Sequence, residues 1–397
     1  MKYRKIGRTG IDISEISLGA EHLEGQNPDV MKSVVNHALN NGINFIDLVL
    51  FASPAARDAM GTALQGRRNE AMLSAHFGAV YREDKYHKTR DAALCEASFE
   101  DWLVRLRTDY ADILMLHWID EPEDYEAAFD KNGYLGLAEK LKRQGKARIL
   151  ALSTHVVPIA EKAIKSGAID ALMFPVNPVH DLLPGDFGIS EMWDESTHKT
   201  LLEKNADRTE SRRNLYLQCE NAGVGLIAMK PYAGGLLLQK GPMHERLEKN
   251  EEALRNPAGM VLTPAQCINY VLGRPGTCTT LVGCRSTGQI DEAVAFYEAS
   301  EAERDFSSID ASRLWKLAGR CTYCNHCLPC PEDIPIGDLI RVLDSSEYSQ
   351  NDRVKDAYSG FAKHGGDCTG CEVCIDRCPF GVPVTERMEK AVATFGY

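Results

Sequence analysis

The sequence predicts an α/β fold, namely a closed (β/α)8 TIM barrel followed by a small α+β domain rich in cysteine. Strand-like and helix-like segments alternate eight times within about 300 residues, which favours a closed barrel over an open sheet. Eight of the thirteen cysteines then fall between Cys321 and Cys378, so the chemistry of the chain changes near its C-terminal end. We therefore predict a barrel domain over 1–300 and a second domain over 301–397.

The eight predicted strands are short apolar runs, as expected of parallel strands that are buried on both faces. In chain order they cover 11–20, 44–50, 71–77, 111–119, 147–155, 171–178, 224–232 and 277–284. The segments between them have helical spacing and cover 29–42, 54–66, 89–108, 123–144, 158–167, 206–222, 263–273 and 286–299. Asn41-Gly42 is a typical helix end, and a proline near the start of the second helix is a typical beginning.

Two long connections, 179–205 and 233–262, leave the carboxyl ends of strands. Barrel enzymes build their active sites at those ends, so we expect both connections to cover the mouth of the barrel. After the barrel, 301–320 and 336–363 have helical patterns on either side of the first cysteine run.

The composition narrows the expected partners and location. The chain carries 57 acidic and 45 basic side chains, for a formal net charge of −12, so nucleic acid is not an expected partner. No signal-peptide pattern follows the basic N-terminus, and no run approaches the ~18 apolar residues of a spanning helix. We therefore expect a cytoplasmic protein with a small-molecule substrate and no membrane partner.

The clustered cysteines have the spacing of iron–sulfur ligands. The second run has the C-x2-C-x2-C-x3-C-P spacing of bacterial ferredoxins, and the first has one residue fewer before its last cysteine. In two-cluster ferredoxins the fourth cysteine of each run ligates the other cluster. We therefore predict a ferredoxin-like domain with two 4Fe–4S clusters, the first held by Cys321, Cys324, Cys327 and Cys378, and the second by Cys368, Cys371, Cys374 and Cys330.

Structural zinc sites are the alternative, although zinc usually takes two separate cysteine pairs rather than evenly spaced runs. The five remaining cysteines are expected to be small core residues.

The barrel half resembles the aldo-keto reductase family. The resemblance covers about residues 1–300 and rests on segments 3–19, 42–47, 109–117, 262–276 and 282–293, which read YRKIGRTGIDISEISLG, GINFID, DYADILMLH, LTPAQCINYVLGRPG and VGCRSTGQIDEA. With its cysteine runs, the chain is similar to the subgroup that carries a ferredoxin-like dicluster tail. The resemblance implies an oxidoreductase.

The family's catalytic tetrad is half present. The resemblance implies hydride transfer from NADPH to a carbonyl by an Asp, Tyr, Lys and His tetrad, of which Asp47 and His117 match. The tyrosine position falls on Ala52 and the lysine position on His76. We expect Asp47 to pair with His76, whose imidazole then serves as the acid while His117 donates to a substrate oxygen.

Two alternatives stay open at this site. In the first, the site does not reduce carbonyls at all, and in the second, Asp47, His76 and His117 hold a divalent metal.

The resemblance also implies cofactor contacts. Ser153 matches the serine that binds the nicotinamide carboxamide, and Arg285, Ser286 and Gln289 match contacts to the 2′-phosphate and adenine. Lys230, near the end of the seventh strand, is also assigned to cofactor binding. The alternative interpretation of Arg285, Ser286 and Gln289 is an ordinary helix start.

The sequence thus predicts an iron–sulfur oxidoreductase that acts on a small organic substrate at the barrel mouth. NADP(H), an external electron carrier such as a ferredoxin, or both would exchange electrons with it. The alternative function is a lyase or isomerase, in which the histidines do acid–base chemistry and the clusters are structural or regulatory.

Overall fold

Eight parallel strands close into a barrel in the computed structural model, which describes residues 1–51, 53–83, 85–130, 133–182, 185–186, 210–235, 237–238, 261–307, 319–347 and 350–397. The strands are β1 Tyr3–Lys5, β2 Asp12–Ser14, β3 Ile16–Gly19, β4 Phe45–Asp47, β5 Met72–Phe77, β6 Ala79–Arg82, β7 Lys85–Lys88, β8 Ala111–Leu116, β9 Ala147–Ser153, β10 Ala171–Pro175, β11 Gly225–Met229 and β12 Thr277–Gly283. The barrel order is β3, β4, β5, β8, β9, β10, β11, β12 and back to β3. The predicted (β/α)8 barrel is confirmed.

The helices are α1 Pro28–Asn40, α2 Pro54–Ala63, α3 Ala92–Leu106, α4 Pro122–Phe129, α5 Tyr134–Arg143, α6 Val157–Ser166, α7 Glu210–Ala222, α8 Pro264–Leu272, α9 Thr287–Val294, α10 Glu301–Arg304, α11 Ile336–Ser346, α12 Asp352–Ser359, α13 Val373–Asp376 and α14 Val384–Phe395. The first nine follow barrel strands and pack around them. The last four belong to the C-terminal tail, residues 319–347 and 350–397, in whose described part the named elements are all helices.

The first predicted strand is two strands. Residues 11–20 divide at Glu15 into β2, which pairs with β1 in an antiparallel hairpin, and β3, which enters the barrel. The carboxylate of Glu15 binds Arg4 at 2.7 Å, and Arg4 also donates to the carbonyl oxygens of Leu272 and Thr277, both at 2.9 Å. Hydropathy alone did not show this break because both strands have apolar, buried residues.

The predicted helix 123–144 is also two elements, α4 and α5. Gly133 precedes α5, and a Cβ atom at this position would lie 2.5 Å from the carbonyl oxygen of Ala127. Any other residue would collide with the end of α4, so the glycine permits the close turn between the helices.

Apolar side chains form separate cores in the barrel and in the tail. One core fills the barrel interior and another lies between the strands and the outer helices. The tail has a core of its own that runs from Tyr323 to Ala391. The five cysteines outside the clustered runs are buried in the two barrel cores, as predicted.

Several predicted features fall largely on residues outside the described ranges, namely the two long connections, the start of the helix predicted at 206 and most of 301–320. Nothing in the structure tests the predicted domain boundary at 300, which stays a prediction. In the described part of the chain, we find no helix with the length and apolar character needed to cross a membrane.

Candidate active site

Asp47, His76 and His117 lie side by side at the rim of the barrel. Asp47 ends β4, His76 is the fifth residue of β5, and His117 follows β8. These strands are parallel neighbours, so their carboxyl ends meet at the same end of the barrel. Oδ1 of Asp47 lies 2.8 Å from Nε2 of His76, and Nδ1 of His76 lies 2.9 Å from Nδ1 of His117. The three side chains form one hydrogen-bonded chain.

The hydrogen-bond partners of Asp47 determine which ring nitrogens of His76 and His117 carry protons. Asp47 is 2% exposed, and its Oδ1 also accepts the hydroxyl of Ser74 at 2.6 Å. A carboxylate only accepts hydrogen bonds, so Nε2 of His76 carries a proton, and in the tautomer with this single ring proton Nδ1 of His76 is an acceptor. Nδ1 of His117 therefore donates to His76. The network thus assigns the tautomer of His117 with a lone pair on Nε2.

This Nε2 atom of His117 is buried and unsatisfied. His117 is 6% exposed, and its Nε2 has no hydrogen-bond partner among the described residues. Burial lowers the pKa of His117 well below its ordinary value, and electrostatic interactions with His76 and Arg90 lower it further. His117 is therefore neutral near pH 7, and Nε2 can accept a proton or a hydrogen bond.

Arg90 binds the backbone of His117 and of the residue that follows it. Its guanidinium donates to the carbonyl oxygens of His117 at 3.2 Å and Trp118 at 2.7 Å, and its Nε donates to Asp124 at 3.1 Å. Trp118 has a φ of 50°, a conformation that costs energy for a residue with a side chain. Gly78 has a φ of 114°, and a Cβ there would lie 2.8 Å from the Arg90 guanidinium. These contacts fix the position of His117.

A second buried chain joins Asp120, His155 and Lys230. Oδ2 of Asp120 lies 2.9 Å from Nδ1 of His155, and Nε2 of His155 lies 3.2 Å from Nζ of Lys230. Burial lowers the pKa of both His155 and Lys230. His155 lies close enough to His117 to lower the pKa of that residue too. Lys230, which the sequence assigned to a cofactor, thus has a partner within the protein.

The sequence analysis missed a hairpin, β6 and β7, that follows β5 and carries Tyr86. The Tyr86 ring meets the His117 ring edge to face, with centroids 5.9 Å apart. Burial raises the pKa of Tyr86, and the carboxylate of Asp47 raises it further. The alternating segment VYREDKYHK (80–88) was the available signal, since polar turn residues there separate two strand-like pieces.

Four cysteines of the tail line one pocket. It encloses about 350 Å³ including its opening to solvent, and apolar side chains such as Ile336 and Met388 form much of its wall. The cysteines are the four that the sequence assigned to the second cluster, Cys330, Cys368, Cys371 and Cys374. Cys374 is buried and Cys371 is exposed, so the pocket has an inner and an outer side.

The cysteines assigned to the first cluster are also close to one another. Burial raises the pKa of Cys327 to about 12, and the thiols of Cys324 and Cys378 add to the rise, with a smaller contribution from Cys374. Burial likewise raises the pKa of Cys321, next to Cys324 and Cys327. Cys378, although 51 residues after Cys327 in the chain, thus lies with the first run.

The two cysteine runs end in the same local structure. Cys330 begins CPEDIPI and Cys378 begins CPFGVPV, so both have the pattern C-P-x-x-[IV]-P-[IV]. The backbone N–H groups of Asp333 and Gly381 donate to the carbonyl oxygens of those two cysteines at 3.0 and 3.2 Å. Each segment leads into a helix, α11 or α14. The tail therefore contains an internal repeat that the sequence analysis did not identify.

The tail binds the outer helices of the barrel through a buried carboxylate. Asp344, on α11, is 2% exposed and accepts hydrogen bonds from Arg213 of α7, from Arg387 of α14 and from Tyr323, the last at 2.6 Å. Asn221, near the end of α7, donates to the carbonyl oxygen of Ser345 at 2.9 Å.

Arg274, which precedes β12, donates to the carbonyl oxygen of Thr322. Asn221 and Arg274 both precede barrel strands, so these contacts gather toward the end of the barrel opposite to His117.

In the ranges that the structure describes, no three His, Cys, Asp or Glu side chains converge closely enough to hold a single metal ion. Asp47, His76 and His117 are joined by hydrogen bonds and are not arranged as metal ligands. The alternative of a divalent metal on these three residues therefore has no support.

The barrel sequence matches one family over most of its length. A sequence model of the aldo/keto reductase family matches residues 15–313. The chain belongs to the aldo/keto reductase family. It is accordingly an oxidoreductase, as the sequence analysis predicted.

Two curated proteins similar to this aldo/keto reductase are themselves named as oxidoreductases. The uncharacterized oxidoreductase YqkF from Bacillus subtilis is 23% identical over 312 residues, which span 77% of this chain and 92% of that protein. L-galactose dehydrogenase from Arabidopsis thaliana is 24% identical over 313 residues, which span 74% of this chain and 88% of that protein.

A solved structure of the family has the same fold. Aldo-keto reductase AKR11C1 from Bacillus halodurans, in its holo form, superposes with a TM-score of 0.54 at 22% identity. The alignment covers 77% of this chain and 94% of that chain.

The residues predicted to contact NADP(H) in this aldo/keto reductase differ in whether their side chains already have hydrogen-bond partners within the protein. Oγ of Ser153 accepts the backbone N–H of Trp118 at 3.0 Å and lies 3.3 Å from Nδ1 of His117. Ser286 caps α9, and the side chain of Gln289 accepts the backbone N–H of Arg285 at 2.7 Å. Within the described ranges, no hydrogen bond or ion pair of the Arg285 guanidinium was found. Ala52 lies outside the described residues.

Proposed function

We propose that this aldo/keto reductase interconverts a hydroxyl group and a carbonyl group of a small organic molecule at the barrel mouth, and that His117 exchanges the proton. The observation that carries this proposal is the chain from Asp47 through His76 to His117, which ends in an unsatisfied nitrogen. Such a chain is a general acid–base device, because the carboxylate stabilises the charge that appears when the last imidazole is protonated.

The neutral state of His117 sets the direction that the site favours near pH 7. Nε2 of His117 has a lone pair, so it takes the proton of a substrate hydroxyl as that hydroxyl is oxidised. In the reverse direction His117 must first be protonated, and burial opposes this protonation. We therefore expect alcohol oxidation to be favoured at neutral pH and carbonyl reduction to gain as the pH falls.

In this proposal His76 has a different role from the one inferred from sequence. Both of its ring nitrogens have protein partners, Asp47 and His117. His76 therefore relays charge between those two residues, and His117 is the imidazole that meets the substrate.

NADP(H) is the proposed hydride carrier, and when bound it supplies or accepts the hydride at the carbon that is oxidised or reduced. Arg285 suits its 2′-phosphate, since a guanidinium offers forked donors. Ser286 and Gln289 stabilise the helix start beside Arg285, which places backbone N–H groups at an anion site. Ser153, which the resemblance matches to a carboxamide contact, already accepts a hydrogen bond from the backbone N–H of Trp118.

We further propose that the tail is ferredoxin-like and holds two 4Fe–4S clusters, which would pass single electrons. The first would be held by Cys321, Cys324, Cys327 and Cys378, and the second by Cys330, Cys368, Cys371 and Cys374. The pocket of the second set, the proximity of Cys378 to the first run and the internal repeat support this assignment.

The arrangement of the thiols favours a cluster over zinc. In a cubane each thiolate binds a different iron, so the sulfurs need not converge on one point, whereas zinc needs its ligands within about 2.3 Å of one ion. Zinc also usually takes two separate cysteine pairs, whereas the first three cysteines of each run here are evenly spaced. An external carrier such as a ferredoxin would meet the tail on the side of the exposed Cys371.

The test of the nucleotide and the clusters is an anaerobic titration of the purified protein with NADPH. NADPH should bleach the iron–sulfur absorption of the wild type, and R285Q should weaken NADPH binding while R143Q, an exposed arginine on α5, should not. No binding and no bleaching would remove NADP(H) from the proposal.

The test of the cluster assignment is iron content and electron paramagnetic resonance. The wild type should contain about eight iron atoms per chain. C378S and C330S should each perturb a different cluster signal, whereas C95A, which changes a buried cysteine of the barrel, should perturb neither. Stoichiometric zinc without iron would contradict the assignment.

A further inference from the structure

The hydroxyl of Tyr86 is buried without a hydrogen-bond partner in the described part of the chain, although most of the hairpin around it is exposed. A buried polar atom that lacks a partner costs stability, so its presence calls for a function. Tyr134 has the same property, but its ring packs into the core between the strands and the outer helices, against Phe77 with centroids 5.6 Å apart. Position therefore distinguishes the two tyrosines.

The hairpin fixes Tyr86 against the loop that carries His117. Lys88, two residues after Tyr86 and on the same face of β7, forms an ion pair with Asp124. The Lys88 ammonium also lies 5.5 Å from the ring centroid of Trp118. Asp124 binds Arg90 as well, which holds the His117 backbone. The hairpin and the His117 loop are thus tied to one another through a single carboxylate.

The neighbouring side chains of His117 and Tyr86 therefore each have a polar atom without a partner among the described residues, and one atom is an acceptor whereas the other is a donor. Nε2 of His117 has a lone pair and accepts, whereas the Oη–H group of Tyr86 donates. Burial raises the pKa of Tyr86, so the phenol keeps its proton over the working range of pH. Tyr86 lies within electrostatic reach of Asp47, and His117 is joined to Asp47 through His76, at the rim where the proposed reaction takes place.

A hydroxyl oxygen is the group that satisfies both atoms, because it can donate to one and accept from the other. We propose that Tyr86 contacts the reacting oxygen of the substrate and donates a hydrogen bond to it, while His117 exchanges the proton. This inference rests on the proposed function and deepens it by assigning Tyr86 as a catalytic residue.

Following the proton and the hydride through the proposed redox step shows which charge the Tyr86 hydroxyl would stabilise. During oxidation the O–H proton of a secondary or primary alcohol passes to Nε2 of His117, and the C–H hydride passes with its electron pair to an oxidised nicotinamide. The oxygen carries negative charge as its proton leaves, and the Tyr86 hydroxyl stabilises that charge without giving up its own proton. The reverse step follows the same positions, from a carbonyl, a reduced nicotinamide and a protonated His117.

The test compares Y86F with the matched variant Y134F, each of which removes one buried, unpartnered hydroxyl. We would measure the NADPH-dependent reduction of 4-nitrobenzaldehyde, and the binding of 2,2,2-trifluoroethanol by fluorine NMR. Y86F should lower kcat about 10²- to 10³-fold, as expected for the loss of one donor to a developing oxyanion. It should also weaken trifluoroethanol binding, and Y134F should change neither quantity.

The thermal midpoint of unfolding is the structural control for both variants. Neither hydroxyl has a partner among the residues that the structure describes, so both variants should keep or raise the thermal midpoint of unfolding. If Y86F retains kcat and trifluoroethanol affinity within threefold of the wild type, the inference about Tyr86 is overturned.

H117A separates this inference from the proposed function. If H117A abolishes turnover and Y86F does not affect it, the function stands and the role of Tyr86 fails. If the wild type binds trifluoroethanol more tightly than Y86F but neither turns over aldehyde or alcohol, Tyr86 contacts a hydroxyl and the redox function fails. A wild type that neither binds nor turns over these probes would count against both.

Discussion

His117 is the residue on which most of the chemistry depends, and its neutral state has a consequence for stability. Its pKa in the folded protein is lowered, so the unfolded chain binds a proton that the folded chain resists as the pH falls below about 6.5. The free energy of unfolding should therefore decrease on acidification, by up to about 1.4 kcal/mol per pH unit for this one group. His155 contributes in the same direction.

H117Q should reduce this acid sensitivity, because glutamine does not titrate. We expect the urea midpoint of H117Q to change less between pH 7 and pH 5.5 than that of the wild type, measured by far-UV circular dichroism. H87Q, at an exposed position of the hairpin, is the control and should follow the wild type. An equal acid dependence in H117Q and the wild type would show that His117 is not the titrating group.

We expect the negative charge of Asp47 to contribute more to turnover than its hydrogen bonds do. D47N keeps an acceptor oxygen but loses the negative charge that stabilises a protonated His76–His117 pair. We expect kcat with 4-nitrobenzaldehyde to fall by about 10²-fold or more. S74A removes a hydrogen bond to Asp47 without removing its charge and should cost less than tenfold. Equal losses in the two variants would argue against a charge relay.

The sequence was sufficient to predict the three residues of this hydrogen-bonded network and the pairing of Asp47 with His76, but not the hydrogen bond between His76 and His117. Asp47, His76 and His117 could be placed at strand ends because apolar strands and their termini are legible in sequence. Which ring nitrogen faces which partner depends on distances of about 3 Å, and so on packing. Tyr86 was not predicted because it reaches the site from a hairpin outside the β/α alternation.

At the scale of elements, the hairpin of β6 and β7 is an addition to the barrel that borders the candidate site. Its attachment depends on Lys88, since the ion pair with Asp124 and the contact with Trp118 both involve that side chain. K88M should therefore loosen the hairpin, with a lower kcat and a higher KM for the aldehyde probe but little change in the thermal midpoint of unfolding.

K85M is the control for K88M. Lys85 lies on the same strand but is exposed and points to the other face. We expect K85M to have wild-type kinetics, and a K85M variant as impaired as K88M would mean that the hairpin is sensitive to any loss of charge.

Element boundaries show what sequence patterns can and cannot specify. The order and type of the barrel elements were predicted because burial on both faces imposes a simple pattern on parallel strands. The two misread segments, 11–20 and 123–144, break at positions where a single contact decides, the Glu15 ion pair and the close approach at Gly133. Such contacts depend on the close packing of individual atoms, which the hydropathy pattern does not encode.

At the scale of the whole molecule, the buried carboxylate of Asp344 joins the tail to the barrel. Its loss would leave Arg213 and Arg387 without their shared partner. We expect D344A to lower the free energy of unfolding by about 3–5 kcal/mol, the usual cost of breaking a buried ion pair. D338A, at a half-exposed position on the same helix, should change it little.

Chemical unfolding of D344A and limited proteolysis of the holoprotein are the measurements. The tail of D344A should be cleaved faster than that of the wild type, whereas D338A should resist cleavage as the wild type does. Unchanged stability and cleavage in D344A would mean that the other contacts hold the tail in place.

The attachment of the tail to α7 and to Arg274, away from His117, has a kinetic consequence. A redox protein that docks against the tail would not shield the barrel mouth, so carrier and organic substrate would occupy the enzyme together. In steady-state assays a redox-inactive analogue of the carrier should therefore inhibit noncompetitively with respect to the organic substrate. The two surfaces would also be free to change independently during evolution, so we expect related enzymes to differ in organic substrate while keeping one carrier.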